Sequence, residues 1–349
     1  MAPKVTLQTI ADAVGVSRTT VSNAYSRPDQ LSDELRERIF QTAARLGYRG
    51  PNPAGRLLRS GRAGAVGVVL TESLAWAFAD PYAVEFLAAL AGVAESARHA
   101  LLLVPCPPGE DQREGIRTAV VDGFCVFTLP DDHPIVEEVL CRALPTVFVD
   151  GPLIDGHPFV GIDDRQATAD LADHLLALGH RRFGVLAFRL RPDGWAGPPD
   201  EARIASADFR VTRERLGGIL GATAAAGIPR DAVRVYEAGV NTRETAHRAA
   251  RLMLALPDRP TAILCLSDQI ALGVLDATDE LGLRVPGDVS ITGFDDIAAA
   301  APAGLTTVRQ AAADKGREAG RLLLAGAPER LVTLDHELIL RATTGPAPT

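Results

Sequence analysis

Cysteine is scarce and scattered in this chain. The four thiols, Cys106, Cys125, Cys141 and Cys265, form no CxxC pair and sit in or beside apolar segments. That excludes a disulfide scaffold and a thiolate metal centre, and predicts four buried thiols. No apolar run approaches the length that spans a bilayer, and Met1-Ala2-Pro3-Lys4 leads into the first helix without a signal-peptide core. The expectation is a cytoplasmic protein with no membrane partner. GxGxxG, GxxxxGK[ST] and a nucleophile elbow are all missing, and the seven histidines are dispersed. Without a phosphate-cradling loop, a nucleophile or a ligand cluster, neither enzymatic chemistry nor a cofactor or metal is expected.

What is present is ordinary in amount and uneven in placement. The chain has 349 residues, 47% of them hydrophobic and 23% charged, enough for two or three domains with conventional cores. Its net charge of −8 divides sharply: residues 1–62 carry +5 and the remainder −13. A basic head on an acidic body favours phosphate contact through the head and disfavours it elsewhere.

The head contains Leu7-Gln8-Thr9-Ile10-Ala11-Asp12-Ala13-Val14-Gly15-Val16-Ser17-Arg18-Thr19-Thr20-Val21-Ser22-Asn23-Ala24. Leu7, Ile10, Ala11 and Val14 recur at helical spacing, and Val21 and Ala24 repeat it after Gly15. Gly15 accepts the positive φ of a sharp turn, small Ala11 permits a close crossing, and Ser17 caps the second helix. Arg18, Thr19 and Asn23 then lie on its outer face. Any small helical hairpin shares some of these traits, but five constraints coincide here in one segment. Ser32-Asp33-Glu34 starts a third helix with Leu35, Ile39, Ala43 and Leu46 on one side, ended by Gly47. In the next stretch, Asn52 can cap a short helix and Pro53 can take its first position, although a plain linker satisfies the same residues.

From Gly64 the pattern changes. Apolar strands at 66–70, 101–104, 123–127 and 146–149 alternate with helices, and a second series follows at 183–188, 233–237, 262–266 and 289–293. The helices between members of the second series are expected near 167–178, 211–226, 242–256 and 269–281. Continuous apolar strands alternating with helices mark parallel α/β layers, so two similar lobes are predicted.

The helix-turn-helix residues, together with Leu178-Gly179-His180-Arg181-Arg182, Ser267-Asp268-Gln269-Ile270-Ala271-Leu272-Gly273, Val285-Pro286-Gly287-Asp288-Val289-Ser290-Ile291-Thr292-Gly293-Phe294-Asp295-Asp296 and Leu305-Thr306-Thr307-Val308-Arg309-Gln310, resemble the lactose-repressor (LacI/GalR) family over residues 5 to about 341. The resemblance implies an all-α three-helix head at 1–47 and a hinge helix at 48–62. It further implies a two-lobed α/β body of the type I periplasmic-binding-protein kind at 63–349. The first lobe would take residues 63–161 and 294–325, and the second 162–293 and 326–349. It also implies an effector-responsive transcriptional regulator, a repressor, that binds pseudo-palindromic double-stranded operator DNA as a homodimer. No heptad helix follows Leu340, so a dimer rather than a tetramer is expected.

By this resemblance Arg18, Thr19 and Asn23 read base edges while Ser17, Thr20 and Ser22 hold phosphates. Arg56 and Leu58 belong to the DNA-binding set through the hinge, Leu58 as the minor-groove wedge. Asp150, Arg215, Ser267 and Asp295 fall at cleft positions suited to a small hydroxylated effector such as a sugar or nucleoside; helix capping alone is the plainer account of such residues, and of Asp268 and Asp296. Asn241 stands where some sugar-binding members carry an aromatic platform. The long loop from Leu74 to Tyr82, which contains Asp80, offers Trp76 or Phe78 as a stacking face, or as ordinary core. Arg189 to Asp208 is an insertion, either a lid or a mobile surface loop. Two other readings remain: a solute-binding protein of the same body fold, which needs export and gives no reason for a basic head, and an α/β enzyme, which needs motifs this chain lacks.

Gly55 replaces the alanine usual in the family's hinge. Gly55→Ala is expected to favour the helix by about 1 kcal/mol per chain, which is about thirtyfold in operator affinity for a dimer, with weaker induction. Titration against operator DNA at fixed salt checks this. Weaker binding would mean instead that two hinge helices cross closely at Gly55 and reject the added methyl group.

Overall fold

The computed structural model describes residues 5–50, 61–107, 109, 111–326 and 330–348. The chain forms two compact units, residues 1–63 and 64–349. None of the described helices is long and apolar enough to cross a membrane.

The head unit holds helices Leu7–Val14, Arg18–Ser26 and Asp33–Arg45. Thr6 and Thr9 form a reciprocal capping box on the first. Gly15 ends that helix at φ 79°, where a β-carbon would be strained. Ser17 and Ser32 cap the other two through the amides of Thr20 and Leu35. Ile10, Ala11, Val21, Ala24, Ile39 and Ala43 make the core, and Tyr25 packs edge-on against Phe40 and Tyr48. The third helix thus closes a core that two could not build.

The body contains two parallel sheets. Strands β1 (Ala65–Leu70), β2 (Ala100–Pro105), β3 (Phe124–Phe127), β4 (Thr146–Val149), β5 (Phe159–Ile162) and β11 (Leu331–Leu334) form the first, in the order β11-β5-β4-β3-β1-β2. Strands β6 (Phe183–Ala187), β7 (Val233–Glu237), β8 (Ala262–Cys265) and β9 (Ser290–Thr292) form the second, in the order β7-β6-β8-β9. All pairings within both are parallel. The central strands β3 and β4 are buried throughout because helices cover both faces, which is why they read as unbroken apolar runs.

The chain crosses between lobes three times: after β5, through the segment leading from β9 to β10 (Thr307–Gln310), and again from β11 into β12 (His336–Ile339), which pairs antiparallel with β10. Residues 326–349 therefore do not all belong to the second lobe as expected. Leu331–Leu334 is an edge strand of the first sheet, held in register from Leu331 opposite Phe159 to Leu334 opposite Ile162. Only the last residues return to the second lobe, where Thr343 bonds Ile291 and Gly345 accepts from the buried His180–Ser290 pair. The expectation of four buried thiols also needs correction: Cys141 ends a helix and is exposed, while Cys106, Cys125 and Cys265 are buried.

Three of the helix pairs that cover the sheets cross at a glycine. A β-carbon on Gly218 would fall on the Arg165 carbonyl and the Thr168 hydroxyl, one on Gly316 on the Phe86 carbonyl, and one on Gly273 on the Arg243 carbonyl. The close approach at Gly218 lets Thr168 donate to the carbonyl of Arg215 at 2.9 Å. Gly221, one turn on in helix Arg210–Ala225, is exposed and faces open space. Gly218→Ala is expected to lower the melting temperature by several degrees through overpacking, whereas Gly221→Ala should raise it by about 2 °C through helix propensity. Thermal denaturation of the two variants, measured side by side, checks both signs.

Candidate functional site

The head presents a polar face on its second helix. Ser17, Arg18 and Thr19 are exposed; Thr20, Ser22 and Asn23 are half-buried. The Ser17 hydroxyl lies 2.8 Å from that of Thr20 while accepting the Thr20 amide at 3.0 Å, so the cap residue is locked to its neighbour. Asn23 donates to Gln30 at 3.3 Å, which ties the helix to the following loop. Gly55, Arg56 and Leu58 lie outside the described residues.

In the body, a cavity of about 100 Å³ lies between the lobes. Trp76, Asp80, Asp150, Arg215, Asn241, Ser267 and Asp295 all line it. Phe78 is 64% exposed and does not, so of the two aromatic candidates only Trp76 reaches the cavity. Asp80 starts the helix Pro81–Ser96, Asp150 follows β4, and Ser267 caps the helix Asp268–Glu280. Capping and cavity lining thus coexist in Ser267. Asp268 and Asp296 serve the crossovers instead: Asp268 accepts from Thr307 at 2.6 Å and from the Ile297 amide at 2.9 Å, and Asp296 pairs with Arg309 and Arg341. Burial pushes the Asp268 carboxyl up to about 6 despite those bonds.

The floor of the cavity is a buried polar chain. Lys315, fully buried on helix Ala312–Ala325, bonds Asp150, Gln310 Oε1 at 2.6 Å and the Tyr82 hydroxyl at 2.9 Å. Tyr82 Oη is also 2.9 Å from Asp150 Oδ2, and the Gln310 amide donates to Asp295. On the far side Arg215 donates to Asp164 at 2.8 Å and to the Leu266 carbonyl at 2.6 Å, lies 3.8 Å from Asp295, and stacks 3.7 Å over the Phe294 ring. Burial works against the Arg215 charge, but Asp164 and Asp295 outweigh it and hold the guanidinium ionised. Burial pushes the Asp295 and Tyr82 groups well up from their ordinary values, and raises Asp80 and Asp164 as well. A third link runs from Ser267 to Asn241 Oδ1 at 2.5 Å and from Asn241 Nδ2 to Asp80 at 3.3 Å.

Sequence reasoning missed Lys315, Tyr82, Gln310, Asp164, Glu72 and the aromatic faces of Phe127, Phe188 and Phe209. One signal was available for the first. Lys315 falls between Ala312, Gly316, Ala319, Leu322 and Leu323 on the buried stripe of its helix, and it is one of two lysines in the chain. A lysine in a core position needs a partner.

The insertion from Arg189 to Asp208, expected as a lid or a mobile loop, includes a short helix, Glu201–Ala205, capped by Asp200. Arg203 bonds Asp193 and Glu237 and stacks 4.5 Å from the Trp195 ring, while Gly197 and Glu237 exchange backbone bonds at the edge of β7. At its start Arg189 pairs with Glu72 of the other lobe, and both line the cavity.

Residues 6–52 match the bacterial regulatory proteins of the lacI family, and residues 172–344 match the periplasmic binding protein-like domain. An HTH-type transcriptional regulator of Mycolicibacterium smegmatis is 42% identical over 356 residues, covering 98% of this chain and 97% of the relative. The crystal structure of a LacI-family transcriptional regulator from Corynebacterium glutamicum is 35% identical, with a TM-score of 0.76 and coverage of 97% and 98%. The lac repressor dimer bound to operator and the anti-inducer ONPF is 26% identical, with a TM-score of 0.77 and coverage of 98% and 100%. A head that builds a capped helix-turn-helix and a body that closes a polar cavity between two parallel sheets agree with these matches throughout; the chain belongs to the lacI family of bacterial regulatory proteins and is a DNA-binding transcriptional regulator, not an enzyme.

Proposed function

We propose that this regulator is a cytoplasmic repressor that binds a pseudo-palindromic operator as a homodimer and is controlled by a small hydroxylated effector, such as a sugar or nucleoside, held in the cleft. One observation carries the reading: Trp76, Asp80, Asp150, Arg215, Asn241, Ser267 and Asp295, far apart in sequence, converge on a single interlobe cavity beside Tyr82, Phe188 and Phe209. Carboxylates suit hydroxyl donors, a guanidinium suits hydroxyl or ring oxygens, and aromatic rings suit the apolar faces of a sugar or base. Both lobes contribute, so a bound effector biases their closure and hence the head's affinity for DNA. Exposed Arg18 and Thr19 on the second head helix read bases with Asn23, and Ser17, Thr20 and Ser22 contact phosphates. The homodimer is supported by the operator-bound dimer of the lac repressor, which the chain resembles over its length.

Selection from random double-stranded DNA tests the DNA half of the proposal. The wild type should recover an inverted repeat, and exchanging Arg18 and Thr19 for other polar residues should change the recovered half-site, since a good bidentate base contact is worth about 1–3 kcal/mol. Recovery of the same site by both proteins would reject the assignment. For the effector half, a thermal-shift screen against sugars and nucleosides should yield compounds that both stabilise the protein and alter its affinity for that operator. Compounds that stabilise without changing DNA binding would separate the cleft from regulation.

A further inference from the structure

The hydrogen bonds around Lys315 constrain the ligand. An ammonium donates three bonds and accepts none. Lys315 spends its donors on Asp150 Oδ1, Gln310 Oε1 and Tyr82 Oη. Tyr82 Oη therefore accepts from Lys315, and its own proton goes to Asp150 Oδ2 at 2.9 Å or Gln310 Oε1 at 3.2 Å, in either case to the protein. With its Oε1 taken, Gln310 turns its NH₂ group to Asp295. Asn241 is fixed in the same way, its NH₂ on Asp80 and its oxygen on the Ser267 hydroxyl. These donors serve the protein, whereas the carboxylates of Asp80, Asp150 and Asp295 line the cavity with lone pairs to spare.

The charges point the same way. Each cation that lines or underlies the cavity already has a carboxylate: Arg189 has Glu72, Arg215 has Asp164 and Lys315 has Asp150. Asp80 and Asp295 are in excess. Burial favours protonation of Asp295 and Asp80, and with both protonated the paired cations still leave no net positive charge. A phosphate or carboxylate entering this small cavity would meet three carboxylates and two guanidinium groups already paired with acids, with no net positive charge to receive it.

Resting on the hydroxylated-effector reading above, we infer that the cleft takes an uncharged polyol or nucleoside and rejects its phosphate ester, with Asp150 holding the Lys315 charge so that no free cation faces the ligand. Lys315 does not itself line the cavity; it bears on the selection only through the pairing with Asp150.

Calorimetric titration of the full-length protein with matched pairs tests this: D-glucose and glucose 6-phosphate, D-ribose and ribose 5-phosphate, sorbitol and sorbitol 6-phosphate, adenosine and its 5′-monophosphate. At least one parent should bind, with its ester at least about tenfold weaker. An ester that binds as well as its parent overturns the inference while leaving the hydroxylated-effector reading standing. If neither member of any pair binds, that reading fails and this inference with it. The role of Lys315 is read from the parent-to-ester ratio, which a merely structural change would leave alone. Asp150→Asn frees the Lys315 charge and should cut the ratio about tenfold or more. The double variant Asp150→Asn, Lys315→Met leaves no lone buried charge, so it should fold, bind the parent more weakly and recover a ratio close to the wild type. Equal ratios in the single and double variants would remove Lys315 from the selection. Should the single variant not fold, a double-variant ratio that collapses to one would overturn the inference, since that variant keeps the Asp80 and Asp295 carboxylates in the cavity.

Discussion

Burying a charge without a partner costs several kcal/mol, and that constraint shapes the centre of this body. Lys315, Asp150, Arg215 and Asp164 are buried between or beneath the lobes, as is the side chain of Asp295, and each is legal there only because of the others. Lys315 comes from the first lobe's helix and Arg215 from the second's; Gln310 and Asp295, on the crossovers, join them. A connected polar chain therefore joins the lobes beside the cavity. A polar seam has few satisfied arrangements, so a ligand that competes for its hydrogen bonds selects among discrete states instead of deforming one continuously.

The frame of this arrangement was legible in the sequence, because strands buried on both faces must be apolar throughout. Phe124–Phe127 and Thr146–Val149 could hardly have been anything else. Leu331–Leu334 and His336–Ile339 were not legible for the complementary reason. They are short edge or crossover strands with half-exposed, alternating side chains, and nothing local distinguishes a strand that joins the first sheet from one that joins the second. Register there is set by tertiary pairing, not by composition. In the head the situation is reversed. Its caps and its turn glycine are local devices, so Ser17, Ser32 and Gly15 could be read one at a time.

The cleft residues divide along the same line. Asp150, Ser267 and Asp295 follow strands at the edge where open parallel sheets bind ligands, and position alone suggests them. Lys315, Tyr82 and Gln310 come from two helices and a crossover, and only their mutual contact gives them a role. Asp164 is similar: it is the first residue of a helix, where an acid is unremarkable, and its partner Arg215 is 51 positions away. Sequence reasoning finds groups whose function follows from where they stand and misses groups whose function follows from whom they touch.

Backbone conformation explains why the carboxylates project as they do. Thr128, Asp150 and Asp295 all have positive φ, at 53°, 61° and 122°, although none is glycine, and Thr128 and Asp150 directly follow the carboxyl ends of β3 and β4. A left-handed conformation at a residue with a β-carbon costs roughly 1–2 kcal/mol, and such residues persist only where their surroundings overdetermine them. Here the surroundings are identifiable. Asp150 is held by Lys315 and Tyr82, and Asp295 by Gln310 with Arg215 beside it. The Thr128 carbonyl receives the Thr71 hydroxyl. Strain and network thus occupy the same positions: the unfavourable backbone turns the carboxylates into the cavity, and the buried cations keep it turned. A ligand that competes for Asp150 or Asp295 loosens part of what holds that backbone, which gives a chemical event in the cleft a direct route to the crossovers that join the lobes.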